Sequence, residues 1–336
     1  MTASAGAKRF VLGIDIGGTK VAVGVVSPAG ERLAEERVPT LAAEGPDPAI
    51  ARLIQLCRRV VAQAGVSWEA ILAAGVGCSG PLDPEAGVIR DPPNLPGWSD
   101  VPLVRRLEAA LHVPVYLDND ANAAALGEHR FGAGRGVANL VYLTISTGIG
   151  GGIILGNRLY RGENGNAGEI GHMSLVYDGR PCNCGSRGCL EAYASGTAIA
   201  ARAREAVLAG EASALQQFRA VPEQITGESF AVALRAGDPL AVRIWEETVA
   251  ILGAGLANVI NIFNPRLILL GGGITNFGDR LFGPVREKAL ARAMGPLAQA
   301  VEIRPAQLGG SVGVLGAAAL AFDRLRPFDA GLPGSG

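Results

Sequence analysis

Phe10-Val-Leu-Gly-Ile-Asp-Ile-Gly-Gly-Thr-Lys-Val-Ala-Val-Gly-Val-Val26 is the stretch that decides the architecture. Two runs rich in β-branched residues, Phe10–Ile14 and Val21–Val26, flank Asp15-Ile-Gly-Gly-Thr-Lys20. That pattern predicts a hairpin closed by a glycine-rich connection. The same arrangement returns further along the chain. Asn139–Ile145 and Gly152–Leu155 are apolar runs around Ser146-Thr-Gly-Ile-Gly-Gly151. A strand–turn–strand unit met twice predicts a duplicated architecture.

Outward from these hairpins, strands and helices alternate. Ile50, Leu53, Ile54, Cys57, Val60 and Val61 follow helical spacing, and Ile71–Val76 reads as a strand. Val101–Leu111 reads as a helix with Ser99 or Asp100 as N-cap. Val113–Leu117 is a strand that delivers Asp118-Asn119-Asp120 at its C-terminal end, ahead of an Ala-rich helix, Ala121–Arg130. Further on come a long helix Ala241–Phe263, a strand Arg266–Leu270 ending in Gly271-Gly-Gly273, a helix Leu281–Ala293, a strand Val301–Pro305 and a terminal helix Val312–Leu325. This alternation is an α/β class. Glu211–Glu228 has weak periodicity and is expected to be a surface insertion without chemistry. Arg326–Gly336, rich in Pro and Gly, is expected to be disordered. A chain of 336 residues suggests two domains. We expect a small α/β domain from 1–120 plus 313–326, and a large one from 121–312.

The composition excludes several partners. Lys and Arg number 30 against 31 Asp and Glu, and no basic run stands out, so neither nucleic acid nor an anionic membrane is favoured. The first apolar run is broken by Asp15, too early for a secretory segment, and no apolar stretch reads as a membrane span. The expected location is cytoplasmic.

The glycine turns are candidates for holding a polyphosphate, because backbone N–H groups in such turns can be approached without side-chain obstruction. Gly17-Gly18-Thr19-Lys20 offers two glycines, a hydroxyl and an ammonium. Thr147-Gly148 lies in the second turn, and Gly272-Gly273 in a third at a strand end. The P-loop pattern is not met, since Thr19-Lys20 stands in the reverse order. Each turn alone reads more readily as an ordinary tight connection; two matching hairpins weigh against that. Asp15 is placed to hold Mg²⁺ through water. Asp120, at a strand end where α/β sheets gather ligands, is the candidate base for phosphoryl transfer to an alcohol. The other reading is that Asp118 or Asp120 only caps the helix.

Of five cysteines, Cys182, Cys184 and Cys189 fall in one glycine-punctuated knuckle, with His172 ahead of them. Three thiolates and an imidazole make a closed, structural Zn²⁺ site; the alternative is a set of free thiols. Cys57 and Cys78 read as inert core thiols. His112 and His129 read as surface or helix-end residues.

Taken in order, Leu12-Gly-Ile-Asp-Ile-Gly-Gly-Thr-Lys20, Cys78-Ser-Gly-Pro81, Asn94-Leu-Pro-Gly-Trp98, Asn119-Asp-Ala-Asn-Ala-Ala124, Ser146-Thr-Gly-Ile-Gly-Gly-Gly152, Gly168-Glu-Ile-Gly-His172, Cys182-Asn-Cys-Gly-Ser-Arg-Gly-Cys-Leu-Glu191 and Leu270-Gly-Gly-Gly273 resemble the ROK family, and within it the bacterial glucokinases. The cysteine motif joined to Glu-Ile-Gly-His is the specific part. Asn183 stands where the family often has Gly, with no expected loss of metal. The resemblance implies an actin/hexokinase-like (ribonuclease H-like) fold of two domains with a central cleft. It implies Asp120 as catalytic base. Gly80, Asn94, Asn119, Asp120, Glu169, His172 and Glu191 are implied as sugar contacts. Asp15, Gly17, Gly18, Thr19, Lys20, Thr147, Gly148, Gly272 and Gly273 lie on the nucleotide side, and His172, Cys182, Cys184 and Cys189 ligate zinc. Some relatives carry an N-terminal DNA-binding helix-turn-helix; only nine residues precede Phe10, so that module is not expected. The expected activity is transfer from ATP, with Mg²⁺, to the 6-hydroxyl of glucose. Mannose, fructose, N-acetylglucosamine or N-acetylmannosamine as acceptor, polyphosphate as donor, and a non-catalytic sugar sensor are the alternatives. A homodimer, or a tetramer of dimers, is the expected assembly.

Overall fold

The structure is a computed structural model and describes residues 10–325; the expected tail lies outside the described residues. β1 (Phe10–Ile16) and β2 (Lys20–Val26) form the antiparallel hairpin, Val11 opposite Val26 through Ile16 opposite Val21. β3 (Arg32–Pro39) adds to β2. It is an edge strand carrying Arg32, Glu35, Glu36 and Arg37, and such charges protect an unpaired edge. That same polarity hid it from a hydrophobicity-based reading. α1 (Pro46–Gln63) starts on a proline, whose missing N–H costs nothing in a first turn, and buries Ile50, Leu53, Leu56, Cys57, Val60 and Val61. β4 (Ile71–Cys78) runs parallel to β1, and two-residue strands β5 (Leu82–Asp83) and β6 (Val88–Ile89) pair with each other. α2 (Leu103–Leu111) follows Pro102 without any side-chain cap. The expected capping by Ser99 or Asp100 is therefore not seen; Asp100 instead pairs with Arg90 at 2.6 Å. β7 (Val115–Asn119) lies parallel to β4 and leads into α3 (Asp120–Phe131).

Next come β8 (Leu140–Ile145), β9 (Ile149–Leu155) and β10 (Arg158–Leu159). They precede the helices α4 (Glu191–Ala194), α5 (Gly196–Leu208), α6 (Gly227–Arg235) and α7 (Pro239–Phe263). β11 (Leu267–Gly271), α8 (Asp279–Arg292), α9 (Gly295–Ala300), β12 (Glu302–Pro305) and α10 (Val312–Leu325) complete the order. The first sheet has the order β3-β2-β1-β4-β7 and the second β10-β9-β8-β11-β12. In the second, β8, β11 and β12 are parallel, as β1, β4 and β7 are in the first. The duplication read from the two hairpins thus extends to whole sheets.

The chain forms two compact units. One holds the described residues up to Ala138, Gly152–Gly168, and those from Gln307 onward; the other holds Asn139–Gly151 and Glu169–Ala306. In the first, α10 lies directly on the sheet. A Cβ at Gly13 would come within 2.1 Å of the Val314 carbonyl, and one at Gly75 within 1.8 Å of the Ala317 carbonyl. Only bare glycine backbone allows that approach, and α10 answers with Ala317, Ala318, Ala319 and Ala321. His129 lies in the last turn of α3, a helix-end residue as expected, though buried, with its Nε2 3.3 Å from Asn157 Oδ1; His112 sits exposed at the end of α2. Cys57 and Cys78 are fully buried, and burial pushes the Cys57 thiol up to about 12.

In the second unit α7 is the central helix. By length and composition it is apolar enough to cross a membrane. Leu240, Ile244, Trp245, Val249, Leu252, Leu256 and Ile260 are buried, and the helix packs against α5, α6 and α8. Core burial accounts for its apolar length. The Glu211–Glu228 stretch is also not a plain insertion. It buries Leu215 and Ile225 and runs into α6 through a capping box between Thr226 and Ser229.

Candidate active site

In the first unit three parallel strands end together. The register sets Asp15 beside Gly77 and Gly77 beside Asp118, one step before Cys78 and Asn119. Asp120 follows as the first residue of α3. The helix is capped by Asn119, whose Oδ1 accepts the Ala121 N–H at 2.8 Å. Asp118 is fully buried; it is neither cap nor bystander. Its Oδ2 takes Arg161 Nε at 2.8 Å, and its Oδ1 takes Asn122 Nδ2 at 2.9 Å and the Asn119 N–H at 2.8 Å. The strand end is thereby fixed by charge on one side and by a cap on the other. Asp120 Oδ1 also accepts from Ala121 N at 2.8 Å, which leaves Oδ2 as its outward oxygen.

Solvent reaches Asp120, yet the dense protein around it pushes its pKa up. Asp15 rises to about 6, first by burial and then by the charge of Asp120, with Lys20 and Arg37 pulling the other way. Two carboxyls poised above their ordinary range at converging strand ends are a chemical signature, because a base works best with a pKa near the working pH.

The Gly17–Lys20 turn is closed by Gly17 N–H to the Lys20 carbonyl at 3.0 Å and pinned by Thr40, whose Oγ1 donates to the Gly17 carbonyl at 2.6 Å. Thr19 and Lys20 are exposed. Asn94 packs on Gly18, where a Cβ would meet the Asn94 carbonyl at 2.6 Å, and Gly80 faces Asn119, whose Nδ2 would lie 3.8 Å from a Cβ there. Asp15, Gly17–Lys20, Gly80, Asn94, Asn119 and Asp120 therefore all belong to the first unit.

The second unit holds the remaining candidates. The β8–β9 turn is closed by the Ser146 N–H to the Gly148 carbonyl at 2.9 Å. Glu191, the first residue of α4, accepts the Ile149 N–H at 2.6 Å through Oε2. Gly272, at φ 84°, folds against the end of β8, where a Cβ would meet the Ile145 carbonyl at 2.4 Å. Thr147–Gly148 and Gly272–Gly273 thus adjoin. Beside them opens a cavity of about 850 Å³, lined among others by Thr147, Thr197, Arg204, Thr226, Glu228, Arg235, Gly273 and Phe277. The α5 and α6 residues of this cavity were not anticipated. The signal that could have found them was Thr226-x-x-Ser229, a helix start inside the segment dismissed as an insertion.

His172, Cys182, Cys184 and Cys189 present ligand atoms that all lie within 4.8 Å of one another. Cys182 Sγ is 3.6 Å from His172 Nδ1, and Cys184 Sγ is 3.7 Å from Cys189 Sγ. Four ligands on a tetrahedral ion at 2.0–2.3 Å stand roughly 3.3–3.8 Å apart, so the donor set and its spacing fit Zn²⁺. His172 Nε2, turned away from the thiols, is 3.7 Å from Glu169 Oε2.

A sequence profile of the ROK family matches residues 11–324. A glucokinase from Thermotoga maritima is 38% identical over 318 residues, spanning 95% of this chain and 99% of that one. Among solved structures, a ROK hexokinase from Thermus thermophilus is 39% identical with a TM-score of 0.79, covering 94% of this chain and 99% of that chain. A ROK family glucokinase from Streptomyces griseus, solved in complex with glucose and AMPPNP, is 37% identical with a TM-score of 0.76, covering 93% and 98%. The duplicated sheets match these sugar kinases of actin/hexokinase-like fold from end to end, and the chain belongs to the ROK family.

Proposed function

We propose that this chain is an ATP-dependent glucokinase, which moves the γ-phosphoryl group of ATP to the 6-hydroxyl of glucose. The observation that carries the reading is Asp120. It stands at the carboxyl ends of parallel strands with a raised pKa, in the unit that also carries the Gly17–Lys20 turn. A relative of matching fold, 37% identical, was solved with glucose and AMPPNP.

In this reading Asp120 Oδ2 accepts the proton of the sugar hydroxyl as its oxygen bonds to the γ-phosphorus. The bond from phosphorus to the bridging oxygen of ADP breaks in line, and Asp120 later returns the proton to solvent. Glycine-turn amides at Gly17–Lys20, Thr147–Gly148 and Gly272–Gly273 offer hydrogen bonds to the phosphates. The cavity beside Thr147 takes the nucleoside, its volume falling in the range of small-molecule sites. Asp15 would hold, through water, the Mg²⁺ that accompanies the nucleotide, and the ion would screen phosphate charge. Gly80, Asn94, Asn119, Glu169, His172 and Glu191 are the acceptor contacts, since carboxylates and amides can pair with a ring of hydroxyls.

His172 and the three thiols would hold a structural Zn²⁺, which supplies rigidity. Glu169 precedes His172 closely and Glu191 follows Cys189, so the ion would steady both carboxylates. We place the protein in the cytoplasm, where such thiols stay reduced. We also read it as a homodimer; exposed Ile262 and Met294, joined through an Asn261–Met294 hydrogen bond, offer apolar surface for pairing.

The test is a set of initial rates on glucose, mannose, fructose, N-acetylglucosamine and N-acetylmannosamine, each with ATP and with polyphosphate. ATP with glucose should give the highest kcat/KM. A higher value for another sugar or for polyphosphate overturns the assignment.

A further inference from the structure

In both units a phosphate turn rests directly on a residue of the acceptor set. Gly18 lies under Asn94, and Gly148 lies under Glu191, where a Cβ would meet the Glu191 Oε2 at 2.5 Å. The second case goes beyond packing. The segment Glu191–Thr197 grips the β8–β9 turn at three residues, Ser146, Thr147 and Ile149. Gly196 N–H donates to the Ser146 carbonyl at 2.7 Å, Thr197 Oγ1 donates to the Thr147 carbonyl at 2.6 Å, and Ile149 N–H donates to Glu191 Oε2 at 2.6 Å. The first two grips hold carbonyls. The third holds the N–H at the far side of Gly148, and its holder is a carboxylate with a second oxygen, Oε1, to offer elsewhere.

We propose that Glu191 is a positioning residue for the donor turn as well as an acceptor contact, so that sugar and nucleotide affinities are linked through one carboxylate. This rests on the kinase reading above. A carboxylate accepting a backbone N–H at 2.6 Å makes a strong, charge-assisted bond. That bond sets the orientation of the peptide next to Thr147–Gly148, whose amides the kinase reading assigns to the phosphates. A sugar hydroxyl on Oε1 holds the same carboxylate still and so stiffens the turn before nucleotide arrives. Linkage requires the converse, in which nucleotide on the turn raises sugar affinity by the same factor. Glycine is needed at position 148 because any Cβ there would displace the carboxylate.

The test measures each affinity alone by calorimetry, with Mg-AMPPNP and glucose as probes. Glu191→Ala should weaken Mg-AMPPNP binding in the absence of sugar by roughly ten-fold, the loss expected for one hydrogen bond to a charged acceptor. Glu191→Gln keeps a carbonyl oxygen for the Ile149 N–H. It should therefore bind Mg-AMPPNP nearly as the wild type does while losing glucose affinity. Gly148→Ala should weaken glucose binding with no nucleotide present, and thermal unfolding should show all three variants folded. If Glu191→Ala leaves nucleotide affinity unchanged, or Glu191→Gln loses as much as Glu191→Ala, or Gly148→Ala leaves glucose affinity unchanged, the proposal is overturned. A wild-type chain that binds neither probe overturns the kinase reading itself, and the inference with it.

Discussion

Asp120→Asn exchanges one oxygen for an amide nitrogen at the residue assigned to accept the sugar proton. The structure indicates that the fold should hardly notice. Asn119 already caps α3 by accepting the Ala121 N–H at 2.8 Å, and an Asn at 120 keeps an oxygen for the same N–H. The strand end stays fixed by the Asp118–Arg161 pair. Asp15 also loses a repelling neighbour, so its pKa falls from about 6 toward the ordinary range. The effect on turnover is large by contrast. Removing a general base costs about 10²–10⁴ in rate, or about 2.7–5.4 kcal/mol in barrier. The expected result is a kcat lowered by at least a hundred-fold, glucose binding within a few-fold of wild type, and an unchanged or slightly raised Tm. A coupled assay for ADP, calorimetry with glucose and a thermal melt read the three quantities. A kcat within ten-fold of wild type refutes the assignment of Asp120. A collapse of Tm alongside the rate refutes the claim that its role is chemical.

Further outcomes follow from the same geometry. The acid limb of kcat/KM should lie above the ordinary carboxyl value, because burial raises Asp15 to about 6 and raises Asp120 in the same direction; a limb near pH 4 would contradict the raised values. Each folded carboxyl binds its proton more tightly than the unfolded one, so Asp15 costs the fold stability as pH rises from about 4 through about 6, and Asp120 acts in the same direction. Asp120→Asn should therefore gain stability relative to wild type at about pH 8 and show no gain at about pH 4 in urea titrations. The purified protein should carry about one zinc per chain, and Cys184→Ser should release it, lower Tm and weaken glucose more than nucleotide; elemental analysis finding no zinc in fully active enzyme would refute this. Arg161→Met should cost about 2–4 kcal/mol, since it strands the fully buried Asp118, and Asp118→Asn in that background should recover part of the loss. Glucose should be preferred over N-acetyl sugars, with Glu169→Gln and Glu191→Gln narrowing the gap in kcat/KM. An acetamido group removes a hydroxyl donor that the half-buried Glu191 or the exposed Glu169 would pair with, a loss of about 1 kcal/mol.

Much of this was legible before any coordinates. The two hairpins were, because β-branched runs around glycine turns have few other readings, and their repetition carried over to the order of both sheets. The gathering of His172 with three thiols was legible because the three cysteines fall within eight residues and the cysteine motif joined to Glu-Ile-Gly-His is specific. What escaped has physical reasons. β3 is polar on both faces because it is an edge. The capping alternative named Asp118 or Asp120, both of which suit the position by type; the geometry corrects it, with Asn119 capping and Asp118 paired with Arg161, 43 positions away. The α6 wall of the cavity was lost because its helix opens with Thr226-Gly-Glu-Ser229, where the usual acidic partner of a capping box is replaced by a hydroxyl.

The duplicated frame also shows how one ancestral plan can serve two chemistries. At the ends of β1 and β7 the first sheet carries Asp15, Asn119 and Asp120, groups that can take a proton or hold a cation. At the corresponding end of the second sheet, β8 leads into Ser146, Thr147 and Gly148, and β11 into Gly272 and Gly273. These are neutral, small and rich in N–H donors, and Arg204 and Arg235 line the adjoining cavity. A carboxylate at that strand end would repel a polyphosphate, so its absence from the turn is what the donor side requires. Among the described residues Glu191 is the acidic side chain bonded to the turn, committed to the Ile149 N–H through Oε2. In the proposed reading the base therefore lies in the first unit alone while phosphate turns lie in both, and phosphoryl transfer needs each of the two: an anion-binding surface for the donor and a base for the acceptor.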